Sequence, residues 1–337
     1  MNMSRLIIDC DPGNGVPGAN VDDAIALSYA AKCPELDLVS IWTVFGNTCS
    51  DQGWSSARRL LESLQESTIM VRRGADEPSC GGREHWIRNR RQAANDPQAP
   101  GQWRRNDPTR PKDASTGSTP ATALAPAPPI SSAHDLAQDL LATDKPTTVA
   151  AIGPLTNLSA VISKEPEAAR RIGRIYVMGG ALGFGDLVDT NFAVDPQAAR
   201  TVLESGIPLT LVPLDVTRTT HLSQERWELL LGRADRTEAP WASDIDAWLA
   251  PWLHYSRRTR PVDGMWLHDL VAVAAASQPS LVRSETAEIA IAPNGKLHRA
   301  DDSTLPAGSS QAVSVDLVTA VDNEALIDSW ARVVLRE

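Results

Sequence analysis

Short apolar runs alternate with helix-length segments along this chain, and their spacing constrains the fold more than any other feature. Leu6–Ile8 reads as a strand, Val21–Lys32 as a helix that stops before Pro34, Leu36–Val44 as a second strand, Asp51–Glu66 as a second helix and Thr68–Val71 as a third, short strand. Strand, helix and strand at these intervals imply a parallel sheet with right-handed crossovers. The alternation resumes with a helix at Ala133–Thr143 and a strand at Thr147–Ile152. It continues with the helix Leu155–Ser163, the strand Arg174–Met178, the helix Pro196–Ser205 and the strand Leu209–Pro213. Glu225–Leu231, Ser243–Ser256 and Asp269–Ser277 read as helices, Glu288–Ala292 and Gln311–Ala320 as strands, and Asn323–Leu335 as a closing helix. The expected class is α/β: an open, mostly parallel, Rossmann-like sheet flanked by helices, in a single domain over residues 1–337. The pattern fails from about Arg83 to Ile130, where Ala94–Pro129 is rich in Pro, Ala, Thr and Ser. That stretch reads as a lid or excursion at about 87–130.

With 42% hydrophobic residues the chain can bury a large core. A net charge of −10 argues against nucleic-acid partners and anionic membranes, whose phosphates call for a basic surface. No apolar run reaches the roughly 20 residues that span a bilayer. The first residues run straight into a strand with no signal pattern. The four cysteines, Cys10, Cys33, Cys49 and Cys80, show no CxxC spacing and read as reduced thiols. Together these features point to a cytoplasmic protein.

Four carboxylates stand where the first strand meets the first helix: Asp9 and Asp11 in Asp9-Cys10-Asp11-Pro12-Gly13, then Asp22 and Asp23. Helix N-termini favour acidic residues, which accounts for Asp22 and Asp23 alone but not with Asp9 and Asp11 just upstream. Gathered at the carboxyl end of a sheet, where open α/β folds bind ligands, such a cluster repels itself unless a cation sits among its members. Carboxylates and carbonyls without a Cys/His cluster suit Ca²⁺ or Mg²⁺ rather than zinc. Other strand ends add Asn47, the segment Ile152-Gly153-Pro154-Leu155-Thr156-Asn157, Gly179-Gly180 with Asp186, Asp189 and Asn191, and Trp266-Leu267-His268-Asp269.

These segments carry a family resemblance. Asp9-Cys10-Asp11-Pro12-Gly13 followed by Val21-Asp22-Asp23-Ala24 resembles the aspartate motif of inosine-uridine-preferring nucleoside hydrolases. Further segments match in order: Thr43-Val44-Phe45-Gly46-Asn47, Arg73-Gly74-Ala75-Asp76-Glu77-Pro78, Ile152–Asn157, Met178-Gly179-Gly180-Ala181, Asn191–Pro196, Pro213-Leu214-Asp215-Val216-Thr217 and Leu267-His268-Asp269. The resemblance covers nearly the whole chain. It implies the nucleoside hydrolase fold and Ca²⁺-dependent hydrolysis of ribonucleosides to ribose and free base. It also implies a small-molecule nucleoside as partner and a homo-oligomer, dimer or tetramer. By the resemblance, Asp11 binds Ca²⁺ and activates the attacking water, Asp23 and Asp269 are further ligands, and Ile152 supplies a backbone carbonyl. Asp22, Asn47, Met178, Asp189 and Asn191 match ribose-pocket positions, His268 the place of an acid for the leaving base, and Asp9 supports the metal site from behind. The chemistry is coherent, because a carboxylate-lined pocket stabilises the positive charge that builds on the sugar.

The chain departs from the family pattern in the insert Asn14–Asn20, in Asp189 where Glu is usual, and in the short Gly185-Asp186 turn, which makes Asp186 a weaker ligand candidate. Trp86 and Trp266 are candidates for stacking on the base. His85 is a weaker candidate, and the run Arg83, Arg88, Arg90 and Arg91 reads as a solvated face. Two other readings stay open. One is a haloacid-dehalogenase-like phosphatase, suggested by Asp9-x-Asp11 after a first strand although Gly13 does not fit. The other is a Ca²⁺-dependent nucleoside binder without turnover.

Overall fold

The computed structural model describes residues 3–80, 83–100, 126–302 and 305–337. In chain order the first elements are β1 (Ser4–Cys10), α1 (Asp22–Lys32), β2 (Leu36–Thr43), α2 (Ser50–Ser63), β3 (Met70–Arg73) and α3 (Arg83–Ala94). The middle comprises α4 (Ala133–Leu141), β4 (Thr147–Ala151), α5 (Thr156–Lys164), α6 (Pro166–Ala169), β5 (Ile172–Met178), α7 (Thr190–Ala193), α8 (Pro196–Leu203), β6 (Leu209–Val212) and α9 (Leu214–Thr217). Then come α10 (Gln224–Arg233), α11 (Ala242–Thr259), α12 (His268–Ser277), a 3₁₀ turn at Pro279–Leu281, β7 (Val282–Ile291), β8 (Leu297–Arg299), β9 (Val313–Val321) and α13 (Asn323–Val334).

Among the described residues the sheet has nine strands in the order β3-β2-β1-β4-β5-β6-β9-β7-β8. Pairing is parallel from β3 to β9, and β7 runs antiparallel to both β9 and β8. The alternation of β1 explains its place in the middle. Leu6 and Ile8 pack into one apolar cluster with α1, α2 and α10 to α13, while Ile7 packs on the other side with α4, α5 and α8. A strand apolar on both faces is stable only when both are covered. From β1 the chain builds outward to β2 and β3, then returns to start β4 on the opposite side of β1. That reversal opens a crevice at the carboxyl ends of β1 and β4, where ligands bind in such folds. Asp9 and Asp11 stand at one lip, Ile152 and Asn157 at the other.

The expected open α/β architecture is present. The chain differs from the sequence reading in places where the apolar pattern is thin. Helix α3 lies inside the stretch read as an aperiodic excursion, because its segment is dominated by Arg, Asn and Gln and leaves no apolar stripe. Strand β7 starts earlier than expected, at a polar, exposed stretch whose ladder with β9 holds it in place. Strand β8 and the helices α6, α7 and α9, each of 3 or 4 residues, are too short to show a period. Most of the excursion beyond residue 100 lies outside the described residues.

Candidate metal and substrate site

Asp9, at the end of β1, is buried, and its Oδ1 accepts from Asn157 Nδ2 at 2.8 Å while Oδ2 has no partner. Burial pushes its carboxyl up to about 7 even with that hydrogen bond. The Asn157 amide also donates to the Thr43 carbonyl at 3.2 Å, and its Oδ1 accepts from Ala75 N at 2.8 Å. One side chain on α5 thus ties together β1, the end of β2 and the segment after β3.

The remaining carboxylates sit in front of Asp9. Asp11 Oδ2 accepts from Asn47 N at 2.6 Å, Asp11 N donates to Asp23 Oδ1 at 3.0 Å, and Asn47 Nδ2 donates to Asp23 Oδ2 at 2.9 Å. Glycine makes room here: a Cβ on Gly46 would overlap the Asp11 carboxylate, and one on Gly153 would lie 3.0 Å from Asp11 Oδ1. Asp22 and Asp23 open α1, and Asp269 lies in the first turn of α12; a carboxylate oxygen from each lies within 4.8 Å of the others. Among the described residues these three carboxylates are near enough to share an ion, whereas the sequence reading placed Asp11 with Asp23 and Asp269 and gave Asp22 to ribose. Asp11 adjoins the trio through Asp23.

Burial, with mutual repulsion after it, pushes the Asp22 carboxyl up to about 7 and those of Asp23 and Asp269 well above the usual range. Burial likewise pushes Asp11 up to about 7. As helix caps these residues would be solvated; here Asp22 and Asp23 are 2% and 0% exposed.

On the β4–β5 side, Asn191 Nδ2 donates to the Ile152 carbonyl at 2.9 Å and to the Met178 carbonyl at 3.2 Å. A carbonyl has a second lone pair, so Ile152 O keeps an acceptor site. Asp189 caps α7, accepting from Phe192 N at 3.3 Å, and burial pushes its carboxyl up to about 6. Its oxygen serves the backbone in this structure. Asp186 is fully exposed, with Lys296 at 3.8 Å, and stands apart from the cluster.

His268 opens α12, with Nδ1 2.7 Å from Thr217 Oγ1 and its ring 5.6 Å from the Trp266 ring. Burial, reinforced by the positive charges of Arg218 and Arg260, pushes the imidazole down to about 3. That environment favours the neutral ring over the imidazolium. The side chains of His85, Trp86, Arg83 and Arg91 lie outside the described residues.

The insert Asn14–Asn20 is not an exposed excursion. Asn14 is buried, donates from Nδ2 to Ser56 O at 3.3 Å, and its carbonyl accepts from Ser56 Oγ at 3.2 Å. Gly18 packs on Ala93 of α3, and Arg90 Nη1 donates to its carbonyl at 3.4 Å. Asn20 Oδ1 accepts from Val21 N at 3.1 Å at the entrance to α1. Arg90 belongs to this packing and to the electrostatic surroundings of Asp11, not to a solvated face. Sequence reasoning gave no task to Asn157, Arg90, Arg218 or Arg260. Asn157 and Thr217 lay within quoted motifs, but the arginines carry no spacing signal that ties them to the site.

The donor set fits a hard divalent cation. Buried carboxylates outnumber nearby cations, and Asp22 Oδ1 is buried without a hydrogen-bond partner. All the candidate donors are oxygens, as Ca²⁺ and Mg²⁺ require.

Comparison with known proteins agrees with this geometry. The family model described as inosine-uridine preferring nucleoside hydrolase matches residues 6–328. The pyrimidine-specific ribonucleoside hydrolase RihA of Shewanella sp. (strain ANA-3) is 31% identical over 300 residues, covering 88% of this chain and 85% of that protein. RihA of Citrobacter koseri is 30% identical over 295 residues, covering 86% and 85%. The fold matches a plant nucleoside hydrolase, PpNRh1, with a TM-score of 0.74 at 24% identity over 99% of each chain. It also matches a purine-preferring ribonucleoside hydrolase from Gardnerella vaginalis, with a TM-score of 0.73 at 24% identity over 99% of this chain and 98% of that one. These matches set aside the phosphatase and the non-catalytic binder. The chain belongs to the inosine-uridine preferring nucleoside hydrolase family and is an enzyme, a nucleoside hydrolase.

Proposed function

We propose that this enzyme hydrolyses the N-glycosidic bond of ribonucleosides in a Ca²⁺-dependent reaction, with pyrimidine nucleosides as the first class to test. The observation that carries the reading is the convergence of Asp11, Asp22, Asp23 and Asp269 at the β1–β4 crevice. Asp11, Asp23, Asp269 and the Ile152 carbonyl would hold the ion, with Asp22 at its edge. A divalent cation bound there supplies positive charge that acidifies a water and anchors sugar hydroxyls.

Asp11 takes the proton of the attacking water, its carboxylate fixed by the Asn47 amide. Asp22 uses its unpartnered oxygen for a ribose hydroxyl, and Asn47 and Asn191 complete the sugar pocket beside Met178. The carboxylates stabilise positive charge as it develops on the ribose. His268 faces the leaving base as a neutral hydrogen-bonding group, oriented by Thr217. The pyrimidine preference follows that of the pyrimidine-specific RihA relatives. A cytoplasmic, homo-oligomeric enzyme of nucleoside salvage is the corresponding cellular reading; all four cysteines are free thiols, as expected in a reducing compartment.

The test is ribose release from uridine, cytidine, inosine and adenosine with Ca²⁺, and again after chelation. Turnover that is lost with EDTA and restored by Ca²⁺ is expected. Full turnover in the chelated enzyme would overturn the metal dependence, and no ribose from any nucleoside would overturn the activity.

A further inference from the structure

Beside His268 lies a cation that the reaction above does not use. Arg218 directly follows α9, and its guanidinium carbon sits 4.8 Å from the Phe184 ring centroid and 5.4 Å from that of Trp266. Its Nε is buried without a hydrogen-bond partner. The acid nearest in sequence, Asp215, is engaged elsewhere, accepting from Leu182 N at 2.8 Å and Gly183 N at 2.6 Å. Contacts with aromatic faces fix the plane of a guanidinium while leaving its N–H donors free, since the donors lie in that plane. Trp266 in turn lies 5.6 Å from the His268 ring, and Thr217, the residue before Arg218, bonds His268 Nδ1. The guanidinium is therefore held at the end of the site assigned to the base.

We propose that Arg218 is a specificity-determining residue that donates to a carbonyl oxygen of the nucleobase and holds the negative charge that gathers there as the base departs. The proposal rests on the nucleoside hydrolase reading of the site. In the reaction the water oxygen bonds to C1′, Asp11 receives the water proton, and the electron pair of the C1′–N bond leaves with the base. The base carries that charge on its nitrogen and conjugated carbonyl oxygen until it takes a proton from solvent, and Asp11 returns its proton to solvent, so nucleoside and water become ribose and neutral base. Arginine only donates hydrogen bonds. The favoured substrates therefore present an oxygen acceptor conjugated to the glycosidic nitrogen, as uracil, cytosine and hypoxanthine do. Adenine, which carries no exocyclic oxygen, gains least.

The test compares kcat/KM of the wild type, Arg218→Gln and Arg218→Lys with Ca²⁺ on uridine, adenosine and 4-nitrophenyl β-D-ribofuranoside, whose leaving group spreads its own charge. Arg218→Gln should lower kcat/KM for uridine by about 100-fold, chiefly in kcat. The ratio of uridine to nitrophenyl riboside turnover should fall at least tenfold, and the ratio of uridine to adenosine turnover should fall as well. Arg218→Lys, which keeps the charge but loses the planar fork, should fall between the two. Should Arg218→Gln fail to fold, Phe184→Ala, which releases one face of the guanidinium from a half-exposed loop, should shift the same ratios in the same direction. Equal losses on uridine and nitrophenyl riboside, or no loss on uridine, would overturn the proposal while leaving the hydrolase reading intact. A wild type that releases ribose from none of the three would overturn both.

Discussion

Asn157 holds Asp9 from behind the site, donating from Nδ2 to Asp9 Oδ1 at 2.8 Å while its own Oδ1 accepts from Ala75 N at 2.8 Å. Asp9 Oδ2 already lacks a partner. Replacing Asn157 with Ala removes the side-chain donor to this buried carboxyl, leaving it the Leu158 backbone, and orphans the Ala75 amide. A stability loss of about 3 kcal/mol is expected in chemical denaturation. Support behind metal ligands typically carries 10–100-fold in affinity, so Ca²⁺ binding by calorimetry should weaken by about that factor.

Gly46 is required by contact. A side chain there overlaps the Asp11 carboxylate, so the carboxylate has to move. Gly46→Ala should therefore displace Asp11 by a fraction of an ångström or more and lower kcat by about 100-fold, as misplacement of reacting groups does. Circular dichroism should show an intact fold. Near-normal turnover would show that Asp11 does not need this position.

The division of labour among the carboxylates can be read directly. Asp23 has both oxygens bonded, to Asp11 N and Asn47 Nδ2, whereas Asp22 keeps one free. Asp11→Asn should cut kcat by about 10²–10⁴, as loss of a general base does, and Asp23→Asn should abolish Ca²⁺ binding. Asp22→Asn should raise KM for uridine by tenfold or more while Ca²⁺ still binds. Calorimetry with Ca²⁺ beside steady-state kinetics separates the three, and loss of Ca²⁺ binding in Asp22→Asn would move Asp22 from the sugar to the ion.

Most of the fold was legible in the sequence, and so were Asp9, Asp11, Asp22 and Asp23, which lie close together along the chain, whereas Asp269, brought in by α12, was joined to them only through the family resemblance. Leu6 to Ile8 is a continuous apolar run, so a buried strand follows from it, and Asp9 to Asp23 lie within one strand–turn–helix. Other features depend on contacts that sequence spacing does not encode. The polar helix α3 carries almost no apolar stripe, yet Gly18 and Ala93 bring it against the insert. The insert Asn14–Asn20, a departure from the family pattern, is largely buried, with Asn14 bonded to Ser56. The surroundings of His268 are equally invisible in its local sequence: burial, reinforced by Arg218 and Arg260 from other positions in the chain, pushes the imidazole down to about 3.

Metal binding should couple to pH through the buried carboxylates. Asp11 and Asp22 rise from an ordinary value of 3.8 to about 7 in the metal-free fold. Between those values the folded state holds protons that the unfolded chain has released, so the metal-free protein loses stability as pH rises from about 4 to 7. A cation reverses this, because it binds the deprotonated forms. The increase in Tm on adding saturating Ca²⁺ should be larger at pH 8 than at pH 5.5 in thermal melts, and binding at pH 6 should release protons measurable from the buffer dependence of the calorimetric heat. An equal Tm increase at both pH values would show that these groups are not the ligands.

Asp139, far from the cluster, provides the opposite pH signature. It lies on α4 and accepts from Ser40 Oγ at 2.7 Å, Trp42 Nε1 at 2.9 Å and Arg72 Nε at 3.0 Å. Burial alone would raise its carboxyl, but these donors, led by Arg72, outweigh it and hold the group below its ordinary value of 3.8. A depressed folded value means that the contribution is fully present above about pH 4 and is lost as pH falls through the folded value. Asp139→Asn keeps the shape but removes the charge facing Arg72, which is itself only partly exposed. The variant should be less stable than wild type by about 2 kcal/mol in urea at pH 7. At pH 3 the difference should narrow as the wild-type carboxyl begins to protonate. Because α4 packs on the face of the sheet away from α1 and α12, kcat for uridine should stay within about twofold of wild type, which separates a stability effect at β2 and β3 from any effect on the carboxylates at the crevice.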